Sequence, residues 1–189
     1  MKKVTLFAAG LLLSASTFAQ SWSVDKMHSY VGFGITHLTI SEVQGNFNSF
    51  DSKITDAKAD FNGAKLEFSA DMNSINTNVE ARDKHLKSAD FFDAEKMPTL
   101  NFKSTSFKKA AGKNYKVTGD LTMHGVTKPV TLDVVYNGST THPMSKKTMA
   151  GFTVSGNIKR SDFAVGASMP AAMLSETVKL KANLEYSKD

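Results

Sequence analysis

The stretch that decides the fold is Asn76–Phe102, NTNVEARDKHLKSADFFDAEKMPTLNF, the one long interruption in a chain that otherwise reads as short alternating strands. Thr77 and Glu80 have the spacing of a capping box, in which a Thr hydroxyl and a Glu carboxylate each satisfy an orphan backbone donor. Val79 to Leu86 is charged and lacks Gly and Pro, which predicts a short helix with Val79, Arg82 and Leu86 near one face. Ser88 opens a second turn that presents Phe91 and Phe92 between Asp90 and Asp93. Pro98 stops any helix, and alternation resumes at Leu100 and Phe102. Two adjacent Phe between acids read as anchors that press a helical lid onto something apolar. The plainer alternative is a connecting helix that only covers one end of a sheet.

On both sides of this stretch the hydrophobic period is two. Val31, Phe33 and Ile35 alternate with Gly32, Gly34 and Thr36, and Val43 to Phe50 reads as one strand with a bulge or bend at Gly45. Leu66, Phe68, Ala70 and Met72 share a face, as do Tyr115, Val117, Gly119, Leu121 and Met123. Val130 to Tyr136, Phe152 to Ile158 and Val178 to Tyr186 repeat the pattern. Gly138 to Lys147 reads as a loop, and Asp162 to Leu174 as a second irregular cover. The expectation is an all-β fold: an antiparallel β-barrel of about eight strands, closed to remove its edges, with a short helical lid. A barrel of that size holds a lumen that side chains fill or that one small ligand occupies. Small inward residues (Ala70, Gly119, Gly156, Ala182) fit either outcome. The predicted lining is Phe33, Ile35, Phe68, Leu100, Phe102, Leu121, Val134, Phe152, Ile158 and Leu180, sealed by Phe91 and Phe92. Met72, Met123, Met169 and Met173 suit a pliant apolar wall.

Residues 1–19 read as a secretory signal peptide: Lys2 and Lys3, an apolar run from Val4 to Leu13, then small residues to Ala19. That apolar run is about 10 residues, half of what spans a bilayer. The expectation is export to the periplasm, cleavage before Gln20 and one domain over residues 20–189, not an integral membrane protein. Loss of Lys2 and Lys3 takes the formal charge from +5 to +3. The remaining Lys are scattered, with no basic stripe interleaved with aromatics, which argues against nucleic acid as a partner. There is no Cys, hence no disulfide and no thiolate chemistry. A homodimer is compatible with the sequence.

Catalysis would need an acid/base pair. Asp25 with His28, Asp83 with His85, and Asp120 with His124 are the candidates, and none sits in a recognisable catalytic frame. A metal would need three or four converging ligands, and His28, His37, His85, His124 and His142 show no ligand spacing; the expectation is no enzyme, no metal and no resident cofactor. Arg82 on the lid, with His85 beside it, can clamp an anionic head group. Alternatively Arg82 forms a salt bridge to Asp83 or to a rim carboxylate such as Asp25 or Asp162.

Arg82-Asp83-Lys84-His85-Leu86, Ser88, Asp90-Phe91-Phe92-Asp93, Pro98 and Phe102 together resemble the signature of the YceI-like family. Further matches run in order along the chain: Trp22 with Val24-Asp25 and His28-Ser29, Phe33, His37-Leu38, Gly45 to Phe47, Ser74-Ile75 and Thr77. They continue through Gly119 to Leu121, His124-Gly125-Val126-Thr127 and Arg160-Ser161-Asp162-Phe163. One departure is Ala164, where the family pattern has Gly after Phe163. The resemblance implies a periplasmic lipocalin-like protein that binds a polyisoprenoid or similar lipid in its lumen. A packed-barrel interaction module without an obligate ligand is the rival reading.

Overall fold

The backbone groups along each strand edge need partners, and among the described residues every strand but the two-residue β6 is paired on both edges. The computed structural model describes residues 20–189; the expected signal peptide, residues 1–19, lies outside them. The first strands are β1 (Gln20–Val24), β2 (Tyr30–His37), β3 (Ser41–Phe47), β4 (Phe50–Ala57), β5 (Lys65–Asp71) and β6 (Ile75–Asn76). Helix α1 (Glu80–Lys87) follows, then β7 (Thr99–Lys109), β8 (Asn114–Met123), β9 (Val126–Thr141), β10 (Thr148–Lys159) and β11 (Leu174–Lys188). The order β1-β4-β5-β7-β8-β9-β10-β11, with β1 also paired to β11, closes an antiparallel ring of eight.

Opposite β10, one edge of β11 is long enough to serve two partners: β1 at its C-terminal end and β2 along the rest. β2 then pairs with β3, and β3 with β6. So β1–β2, β3–β4 and β5–β6 behave as three bent strands, which carry the wall beyond the ring at one end. Asx-type turns make two of these bends. Asp25 accepts from the Met27 N–H at 2.9 Å, and Asp71 from the Asn73 N–H at 2.8 Å.

Three readings of the sequence change. Val43–Phe50 is not one strand: β3 stops at Phe47, and Phe50 opens β4. β4 escapes the pattern because its inward positions include Ser52 between Phe50 and Ile54. Gly45 marks no bulge but a close approach. It pairs with Phe33, and a Cβ there would stand 2.5 Å from Phe33 Cζ. Gly138–Lys147 is loop only in its second part: β9 runs to Thr141, and residues 142–147 make the turn. Those residues are polar because this hairpin stands past the core, with both faces wet.

One end of the barrel is packed shut. Phe61, in the loop 58–64, is 2% exposed and enters the barrel end. Its ring lies 5.3 Å from Trp22, 5.4 Å from Tyr136 and 5.0 Å from Phe152 in tilted or edge-on contacts. Such pairs contribute about 0.5–1.5 kcal/mol beyond their buried area. Val134 and Phe152, expected in the lining, are buried in this packed end instead. They do face inward, but alternation gives the face and not the depth along the axis.

Candidate ligand cavity

Beyond the aromatic plug the lumen opens into a cavity of about 430 Å³. Pockets of about 300–1,000 Å³ take drug-sized ligands. Phe33, Ile35 and Leu180 line it from β2 and β11, Phe68, Leu100 and Phe102 from β5 and β7, and Leu121 and Ile158 from β8 and β10. The lid residues Arg82, His85, Phe91 and Phe92 border it as well. Of the expected methionines, Met123, Met169 and Met173 reach it; Met72 is buried elsewhere.

The floor is polar but neutral. Ser52 donates to the Glu67 carbonyl at 2.9 Å, so the Tyr186 hydroxyl, 2.7 Å away, donates to Ser52. Burial pushes the Tyr186 pKa upward, which keeps the phenol protonated. Ser52 and Tyr186 were not among the candidates; a Ser in a strand and a terminal Tyr carry no distinctive spacing.

The first cover is α1 and the turns to residue 98. No capping box forms: the N-cap is Val79, without a side-chain hydrogen bond. Thr77 instead donates its hydroxyl to Asp83 at 2.5 Å and its N–H to the same oxygen at 2.8 Å. Arg82 donates from Nε to the Thr77 hydroxyl at 2.7 Å and from Nη2 to the Thr77 carbonyl at 2.8 Å. Arg82 thus spends two donors on anchoring the helix start and makes no ion pair with Asp83, Asp25 or Asp162. His85 sits 3.3 Å from Asp90 and edge-on to Phe91, centroids 4.9 Å apart. Phe91 is 7% exposed, while Phe92 is half-buried. The two adjacent rings therefore have unequal roles.

The second cover, residues 160–174, is organised by a residue that sequence reasoning saw only as part of a motif. Arg160 is 3% exposed and donates to the carbonyls of Gly166 (2.6 Å), Met169 (2.7 Å), Leu174 (3.1 Å), Ser175 (3.2 Å) and Val165 (3.3 Å). It also donates to Glu176 Oε1 at 2.7 Å. One guanidinium so gathers the carbonyls of this irregular segment, and these bonds are how its buried charge is tolerated. Ala164 ends the 3₁₀ turn Arg160–Phe163 in the left-handed region, φ 54°, a conformation that costs less with Gly. The covers meet at Gly166, where a Cβ would stand 2.8 Å from Phe91 Cε1. His124 Nδ1 adds a 3.1 Å bond to the Phe163 carbonyl, which makes it the donor and ties the β8–β9 turn to this cover.

These bonds dissolve two of the three acid/base candidates. Asp83 serves Thr77, His85 faces Asp90, and His124 serves Phe163. Asp25 and His28 do pair, at 2.9 Å. The His28 hydrogen bond holds Asp25 below the usual carboxylate range, and Asp25 raises His28. Glu185 lies close to both, the ligand atoms of the three lying within 4.8 Å of one another, but none lines the cavity. The arrangement around the cavity can enclose an apolar molecule; it presents no nucleophile–base pair.

Residues 22–186 match the YceI-like domain family. A relative, Protein YceI of Salmonella agona (strain SL483), is 38% identical over 190 residues, covering 98% of this chain and 97% of its own. The crystal structure of the Campylobacter jejuni YCEI protein superposes with a TM-score of 0.74 at 34% identity, covering 100% of this chain and 99% of that one. A polyisoprenoid binding domain from Saccharophagus degradans shares the fold at TM-score 0.64 and 19% identity, over 89% of this chain and 98% of that one.

Proposed function

The chain belongs to the YceI-like domain family, and we propose that it is an exported, periplasmic carrier holding a long apolar lipid in the barrel lumen. A polyisoprenoid, an isoprenoid quinone or a fatty-acid-like chain fits that description. The observation that carries the reading is the cavity itself: about 430 Å³, walled by aliphatic and aromatic side chains, neutral at its floor and roofed by two covers. At about 0.3 kcal/mol per heavy atom, every ten carbons enclosed gain roughly 3 kcal/mol without any polar contact. Arg82 and His85 border the roof, where a head group would emerge. The description of the Saccharophagus degradans neighbour is in keeping with this ligand class. Binding rather than catalysis is the assignment, because the candidate acid/base residues at the open end are committed to structural bonds. The rival reading, a packed-barrel interaction module, calls for a filled lumen.

Solvent extraction of the purified protein followed by mass spectrometry tests the proposal. A stoichiometric long-chain lipid is expected. A lipid-free extract, together with no uptake of a pyrene-labelled fatty acid by the emptied protein, would overturn it.

A further inference from the structure

Resting on the lipid-carrier reading, we propose that the β2–β3 hairpin tip, with Met173 beside it, docks the cavity mouth onto a phospholipid bilayer. Three observations converge there. First, the tip is apolar and unshielded: Ile40 is 84% exposed, Leu38 46% and Met173 47%. Second, it continues the cavity lining. His37, Met173 and Leu174 border the cavity, and the Leu38 N–H donates to the Met173 carbonyl at 2.9 Å. Third, the turn is built against its own preferences. Leu38 and Thr39 stand at φ 49° and 63°, and the Ile40 N–H bonds the His37 carbonyl at 3.2 Å. Two successive positive φ angles suit Asn-Gly; Leu and β-branched Thr are strained there.

The occupant follows from size and chemistry. A stable protein partner needs roughly 800 Å² of each surface, far more than three side chains offer. Shallow insertion into the headgroup–acyl boundary needs only a few apolar side chains presented together. A carrier whose ligand is insoluble must also meet its source in a bilayer.

The test uses the full chain with vesicles of phosphatidylethanolamine and phosphatidylglycerol, and a pyrene-labelled fatty acid as cargo. Leu38→Ser with Ile40→Ser should lower the vesicle-bound fraction at least fivefold. It should also remove the dependence of cargo uptake on vesicle concentration, with the melting temperature held. Leu38→Asn with Thr39→Gly supplies a second arm: it relieves the turn, so it should raise the melting temperature while weakening vesicle binding. A merely structural tip would not move those two readouts in opposite directions. Unchanged vesicle binding in both variants overturns the proposal. So does a wild-type protein that floats free of vesicles, or a tip substitution that splits a dimer instead. Cargo delivered from ethanol separates the two readings: if it is not bound from any source the carrier proposal fails, while flotation still decides the tip.

Discussion

The two ends of this barrel are built from the same inward-facing alternation and finish in opposite states. At one end Phe61 comes in from a loop and meets Trp22, Tyr136 and Phe152, so the lumen is filled. At the other, Leu121 and the cross-strand pair Phe33 and Leu180 line an open cavity, and the roof is made of two separate covers. Wall composition does not explain the contrast; what the connecting loops insert does. At the closed end one short loop places an aromatic ring inside the ring of strands. At the open end the long connections lie across the mouth, held by Arg82 on Thr77 and by Arg160 on backbone carbonyls. Aromatic packing makes a permanent floor. Hydrogen bonds at the rim make a roof whose two parts meet where Phe91 lies against Gly166.

The sharpest way to break this comparison is Phe61→Ala. Truncating a buried Phe costs about 3–5 kcal/mol, which lowers the melting temperature of a chain this size by roughly 6–20 °C. Thermal unfolding followed by circular dichroism reads the loss. At temperatures where the variant stays folded, uptake of a pyrene-labelled fatty acid should persist, because the plug lies below the cavity floor. A Phe61→Ala variant that melts like wild type would show that the floor is not where the stability lies.

How much of this was legible in the sequence follows from the same contrast. Alternation gave the inward face of nearly every strand, and the Asn76–Phe102 interruption gave the lid. Depth was not legible: Val134 and Phe152 share their faces with lining residues yet lie in the plug. Phe61 sits in a loop, where no period exists to mark it. β4 was hidden by an inward Ser52 that is buried only because Tyr186 and Glu67 satisfy its hydroxyl. Thr77 followed by Glu80 promised a capping box, but Asp83, six residues on, took the Thr hydroxyl instead. Arg160 looks like any surface Arg, and only the path of the chain around it reveals five carbonyls converging on one guanidinium.

At the open end, substitutions should cost less stability and more retention. Phe91 is buried against His85 and Gly166, whereas Phe92 borders the cavity half-buried. Phe91→Ala should cost the emptied protein about 1–3 kcal/mol, less than Phe61→Ala, since the covers can settle after the loss. Phe92→Ala should cost less still. Both should release a bound pyrene-labelled fatty acid faster than wild type, with Phe91→Ala the faster because it parts the two covers. Release rates after dilution into acceptor vesicles, beside melting temperatures with and without cargo, check the order. If Phe91→Ala destabilises as much as Phe61→Ala and leaves release unchanged, the roof is as permanent as the floor and the contrast fails.

The smallest effect belongs to the joint between the two ends, where β1 bends into β2. There the His28 imidazole and the Asp25 carboxylate lie 2.9 Å apart, beside Glu185. The hydrogen bond to Asp25 raises the His28 pKa above its ordinary 6.5, and the same bond lowers that of Asp25 below 3.8. A raised imidazole pKa stabilises the fold fully below pH 6.5, and this contribution fades as pH climbs through the folded value. A lowered carboxylate pKa stabilises above pH 3.8 and fades as pH falls through the folded value. The pair therefore supports the bend between those limits and slackens on either side of them. His28 is solvent-exposed, so screening keeps the effect small. A plot of melting temperature against pH should fall slightly from pH 6 to pH 9 in the wild type, and His28→Gln should remove that slope while leaving the Phe61 and Phe91 substitution costs unchanged. Should His28→Gln instead make those costs pH-dependent, the joint would be transmitting between floor and roof, and the two ends would not be independent.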